Sequence, residues 1–168
     1  MKKIIFLALA VSVYFVSQAQ AGPDTSAQYY KTQRLPAFKL IQPDSSWFSN
    51  RDLPKNRPIV VIYFSPDCGH CQLAAQEIKT NIEKLKKAFF VWVSWHSVPE
   101  IKTFTEKYDL KQYKNFRFGR DPNYFIPTFY NVKFTPFMAV YDKKGKLVKA
   151  FEQGTDPETL AKLIHDNS

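Results

Sequence analysis

Ile59-Val60-Val61-Ile62-Tyr63-Phe64-Ser65-Pro66-Asp67-Cys68-Gly69-His70-Cys71-Gln72 is the stretch on which the reading of this chain turns. Its first six residues are an unbroken apolar run of β-formers, the pattern of a strand covered on both faces. Beyond it, Ala74, Ile78, Ile82, Leu85 and Phe89 recur at steps of four, four, three and four, which predicts an amphipathic helix seen along its buried stripe. Carrying that stripe back by three residues lands on Cys71. Cys71 is therefore expected to face the protein, and Cys68 to sit in solvent at the helix's N-terminal tip. Sulfurs three positions apart across a first turn are close enough to form a disulfide.

This placement assigns roles. A thiol at a helix N-terminus meets unpaired N–H groups and the positive end of the helix dipole, and both favour the thiolate. Cys68 is read as the attacking sulfur. It opens a partner's disulfide, forms a mixed disulfide, and is released when Cys71 attacks the Cys68 sulfur, leaving the pair oxidised; in reverse the same steps donate a disulfide. Gly69 and His70, between the cysteines, are assigned to tuning the thiol. A His70 imidazole that is protonated or donating N–H stabilises the thiolate, hence the reduced form, and makes the pair more oxidising. Asp67 opposes this if its carboxylate points at the sulfur.

Other uses of Cys-x-x-Cys fit less well. Zinc wants four ligands, and beyond the two cysteines the chain offers only His70, His96 and His165, with His70 held beside the pair. Covalent haem needs His directly after the second Cys, where Gln72 stands. A purely structural bridge across a two-residue gap restricts the unfolded chain least of all bridges. No metal and no cofactor is implied.

The remaining composition describes a single exported globular domain. With 45% apolar and 23% charged residues, the 168-residue chain is neither disordered nor fibrous, and it can bury enough surface to fold without a disulfide lattice. Lys2 and Lys3, the apolar run 4–16 and Ala19-Gln20-Ala21 form a signal peptide over 1–21 with cleavage before Gly22. As a helix that apolar run spans only about 20 Å of a hydrocarbon layer about 30 Å thick, which disfavours an anchor. The protein is expected in a bacterial periplasm. Residues 22–34 read as a flexible lead-in, and 35–168 as the folded domain opening on a strand or hairpin. The formal charge of +9 invites nucleic acid, yet in 111–120 Phe116 and Phe118 alternate with Arg117 as in a half-covered strand, and an exported protein rarely meets nucleic acid. No nucleic-acid partner is expected.

Phe64-Ser65-Pro66-Asp67-Cys68-Gly69-His70-Cys71-Gln72 after a hydrophobic strand resembles the active site of the thioredoxin superfamily, with the Cys-Gly-His-Cys core typical of protein disulfide isomerases. Leu35-Pro36-Ala37-Phe38-Lys39-Leu40 and the export signal are more like the bacterial TlpA-like periplasmic thiol-disulfide oxidoreductases. The resemblance covers most of the chain and implies a thioredoxin-like α/β fold, a central mixed sheet flanked by helices. Strand 89–95, helix 99–108, strand 137–141, turn 142–145, strand 146–151 and helix 157–165 fit in order. Two helix starts stand on local chemistry alone: Ser97-Val98-Pro99-Glu100 is a capping box, and Thr155-Asp156-Pro157-Glu158 repeats the signal. By the same resemblance Thr135-Pro136 is the cis-proline site, with the backbone of Thr135 offered to an extended substrate.

Two positions depart from the family. Thioredoxins carry a buried Asp six residues before the first cysteine, where this chain has Ile62, and Trp just before it, where this chain has Asp67. His96 and Glu77 are candidate replacement proton acceptors, but a packing histidine and a solvated helix charge explain them as well, and neither is counted as catalytic. The expected function is exchange of disulfides with exported proteins through Cys68 and Cys71, with reductase set ahead of oxidase or isomerase. The resemblance also implies a membrane-bound electron donor; the mature chain has no transmembrane span and is a monomer by default. The alternatives are a non-catalytic binding module with a structural disulfide, and a thiol peroxidase, for which Val61 stands where that pattern needs proline.

Overall fold

The computed structural model describes residues 25–168. The signal peptide expected at 1–21 and the first residues of the lead-in lie outside the described residues. The elements are α1 (Gln28–Thr32), β1 (Lys39–Ile41), β2 (Trp47–Ser49), β3 (Ile59–Tyr63), α2 (Gly69–Thr80), α3 (Ile82–Leu85), β4 (Phe89–Ser94), α4 (Val98–Lys107), β5 (Phe116–Arg120), α5 (Phe125–Tyr130), β6 (Phe137–Tyr141), β7 (Leu147–Phe151) and α6 (Pro157–Asp166). The strands form a mixed sheet in the order β2-β1-β5-β4-β3-β6-β7. β3, β4 and β5 run parallel, and β6, β7 and the β1-β2 hairpin are antiparallel.

β3 is continuously apolar because both its faces are buried. Val60 and Ile62 lie in one core with Ala74, Ile78, Phe104 and Leu160, under α2, α4 and α6. Ile59, Val61 and Tyr63 lie in the other, with Tyr29, Phe48, Ile126 and Phe129. Period-two alternation distributes the run between the two layers. The first capping box acts as read, the Ser97 side chain accepting from Glu100 N–H at the start of α4; at α6 the helix starts where expected, but the cap is Asp156, which accepts from Thr159 N–H, rather than a Thr155–Glu158 box.

Three differences from the sequence reading have physical causes. The helix after the cysteines does not run through to Phe89. It ends at Asn81, whose side chain and backbone N–H both bond the Glu77 carbonyl, and Phe89 opens β4 with its ring in the second core. The lead-in is packed rather than loose: α1 buries Tyr29, whose ring lies 5.5 Å from that of Tyr130. Finally, α5 carries no conventional cap and went unread. Its N-terminus is held by the buried Asp121, which accepts from Ile126 N–H at 2.7 Å from five residues upstream.

The hairpin joins the sheet at one close point, where Ile41 pairs with Arg120. A Cβ on neighbouring Gly119 would lie 2.7 Å from Leu40 Cβ and 3.3 Å from the Ile41 carbonyl oxygen. Gly119→Ala is therefore expected to lose about 1–3 kcal/mol by overpacking in urea unfolding. An unchanged midpoint would contradict this approach.

Candidate active site

β3 delivers the chain to the site. Phe64 continues its ladder with N–H to the Val93 carbonyl at 2.9 Å, and its ring locks against Phe104 with centroids 4.8 Å apart. The chain then turns within residues 65–68: Cys68 N–H reaches the Ser65 carbonyl at 3.2 Å, and the Gln72 side-chain amide donates to the Pro66 carbonyl at 2.9 Å. Cys68 is the N-cap of α2, and its Sγ accepts from Cys71 N–H at 3.4 Å. One of the first-turn N–H groups that lack a helical partner is thus spent on the sulfur.

The two cysteines, both free thiols, occupy opposite environments. Partial burial pushes the Cys68 thiol up, but the Thr135 and Cys71 side chains and the Cys71 and His70 backbone N–H groups outweigh it and hold the thiol below its ordinary value. Its S–H also donates to the Thr135 carbonyl at 3.4 Å, a contact that favours the protonated form and is the weaker influence. Cys71 is fully buried beside Ile62 and Ala75, and burial pushes its thiol up to about 12. At pH 7 Cys71 is therefore held as the thiol. The expected asymmetry is present: Cys68 at the tip, Cys71 behind it.

Thr135-Pro136 is cis, with Pro136 buried. Gly154 lets it seat there: a Cβ at that position would meet Pro136 Cγ at 3.0 Å, and its φ of +75° is one that L side chains rarely adopt. Pro136, His70, Leu73, Glu77 and Gly154 line a groove, which meets the site through Pro136, next to the Thr135 carbonyl that accepts from Cys68. Leu73, 51% exposed, presents an apolar side chain there that the sequence reading missed. Its place in the helix stripe is between the buried positions, which is the signal that marks it as outward.

His70 reaches the sulfur through its backbone N–H, while its ring is exposed. Glu77 stands on the groove wall, and Ile62 leaves Cys71 without a carboxylate beneath it. His96 is 8% exposed and lies on the Asp67 side of the loop. Its Nε2 is 2.8 Å from Ser65 Oγ and 3.6 Å from Asp67 Oδ1, and its Nδ1 is 2.9 Å from Glu100 Oε1. Ser65 Oγ also donates to Asp67 Oδ1. This cluster was legible only as isolated residues, since the topology of β3 and β4 is what joins them.

The family model of the thioredoxin-like domain matches residues 53–168. A secreted disulfide oxidoreductase of Mycobacterium tuberculosis homologous to E. coli DsbE is 20% identical, with a TM-score of 0.64 over 77% of this chain and 95% of that one. DsbF from MTB is 21% identical, with a TM-score of 0.66 over 78% and 95%. The exposed lipoprotein thioredoxin of Streptococcus pneumoniae is 20% identical, with a TM-score of 0.59 over 78% and 99%. These likenesses are of fold. No curated protein matches the chain.

In the reduced protein, absorbance at 240 nm followed against pH, taken as the difference from a Cys68→Ala/Cys71→Ala double variant so that the tyrosinates cancel, is expected to rise in two separate steps. The first thiolate forms below the ordinary thiol value of 9.0 and the second not until about 12. A single step of two thiolates would contradict the environments described.

Proposed function

This chain belongs to the thioredoxin-like domain family, and from that premise we propose that it is a thiol-disulfide oxidoreductase that reduces disulfides of exported proteins. The observation that carries the reading is the contrast between Cys68, a helix N-cap whose thiolate is favoured, and Cys71, buried and protonated one turn behind it.

The Cys68 thiolate attacks one sulfur of a substrate disulfide. A Cys68-substrate S–S bond forms, the substrate S–S bond breaks, and the first substrate thiolate departs. With Ile62 beneath Cys71 in place of a carboxylate, that departing thiolate takes the Cys71 proton. Cys71 then attacks Cys68 Sγ, the protein disulfide forms, and the second substrate thiolate leaves and is protonated by solvent. Two electrons pass to the substrate. The Thr135-Pro136 segment, beside Cys68, positions an extended substrate, and Leu73 offers it an apolar contact.

In the reducing direction the attacking species is the Cys68 thiolate, and the His70 backbone N–H is among the groups that favour it. Export is supported by the signal-like residues 1–21 and by neighbours described as secreted or as an exposed lipoprotein. A membrane-bound dithiol donor would return the pair to its reduced form.

Insulin with dithiothreitol tests the activity. The protein is expected to bring forward the onset of turbidity, Cys68→Ala to fall back to the dithiothreitol rate, and Cys71→Ala to accumulate a mixed disulfide seen as a mass adduct. Identical curves for the protein and Cys68→Ala would remove the disulfide-reductase reading.

A further inference from the structure

We infer that His96, acting through Ser65, holds the Asp67 carboxylate away from Cys68, making it a positioning residue for the attacking sulfur. The inference rests on the reading of Cys68 as that sulfur.

Glu100, His96, Ser65 and Asp67 form a chain of three consecutive contacts at hydrogen-bond range, with a carboxylate at each end. Ser97, through its hydroxyl, and then His96 hold the Glu100 carboxyl down to about 2, and the Ser65 hydroxyl is the largest influence keeping Asp67 below its ordinary value. An ionised carboxylate only accepts, so each end of the chain fixes the group that faces it: His96 Nδ1 lies 2.9 Å from Glu100 Oε1, and Ser65 Oγ, 2.8 Å from His96 Nε2, donates to Asp67.

The neighbourhood fixes the ring in place. Asp67 and Glu100 face His96 from the active-site loop and from α4, Trp95 lies against its ring with centroids 4.2 Å apart, and its own backbone N–H is bonded to Ser94 Oγ at 3.2 Å. Glu100 is itself fixed, because its Oε2 accepts from Ser97 N–H at 2.8 Å and from Ser97 Oγ in the α4 capping box. The clamp is therefore rooted in a helix end that does not depend on the cysteines. Its free end is Asp67, whose carboxylate would otherwise be able to turn towards the sulfur of the next residue and raise the cost of the thiolate. With Nδ1 on Glu100 and Nε2 on Ser65 both ring nitrogens of His96 are engaged, and the structure assigns it this task in place of the acceptor role.

A double-mutant cycle tests the clamp on the reduced protein, without substrate. The pH midpoint of iodoacetamide labelling at Cys68 is measured in wild type, His96→Asn, Asp67→Asn and the double variant. Asn keeps a donor for Glu100 and removes the ring nitrogen that faces Ser65. His96→Asn is expected to raise the midpoint by about half to one pH unit. Asp67→Asn is expected to change it little in wild type and to lower it by about that amount in the His96→Asn background. An equal shift from Asp67→Asn in both backgrounds would mean that Asp67 is not held by His96, and would overturn the inference. If His96→Asn does not fold, Ser65→Ala severs the same link and takes its place in the cycle, with the same two outcomes. Because the cycle is read on labelling and the oxidoreductase reading on insulin, failure of one is distinguishable from failure of the other.

Discussion

A helix can offer unpaired N–H groups to one sulfur while hiding another only if its first turn is nailed to the core, and the molecule is organised around that constraint. β3, buried on both faces, ends in Phe64, whose ring is held by Phe104 and Trp92. The turn after it is short, and α2 begins at once with Cys68 as cap. Cys71 falls on the stripe that also carries Ala74, Ala75 and Ile78 into the core. The same geometry that lowers one thiol raises the other. The sulfurs differ because a surface cap and an interior face are one turn apart on a single helix.

The cis segment and the groove complete the site from the other side of the sheet. β6 lies beside β3 with Tyr63 opposite Phe137, so the residues before Phe137 arrive next to Cys68. Antiparallel pairing brings Thr135 and Cys68 within a hydrogen bond despite a separation of 67 residues. Gly154, after β7, admits Pro136 by having no side chain. The site is assembled from the ends of adjacent strands and one helix tip, where backbone groups are free to meet a ligand.

Much of this was legible in the sequence because the signals were local. The run 59–64, the i, i+3, i+4 stripe and the two N-caps each report on a few consecutive residues; the run and the helix starts became the elements they implied, and the stripe held as far as Asn81. What stayed hidden depended on distant partners. α5 is started by Asp121, which no capping pattern describes. The lead-in folds back because Tyr29 finds Tyr130 and Phe137. Asp67 was recognised as a charge beside the thiol, but its direction is set by Ser65 and by His96, which lies at the end of a different strand. The family's buried acid is missing at Ile62, and charge is arranged on the outer side of the loop instead.

The central claim is that the pair is chemically unequal before any substrate arrives. Reduced, folded protein given limiting iodoacetamide at pH 7 and mapped by peptide mass spectrometry measures this directly. The account expects the label on Cys68 with Cys71 unmodified until the protein is unfolded. Label appearing first on Cys71, or on neither residue in the folded protein, would contradict it.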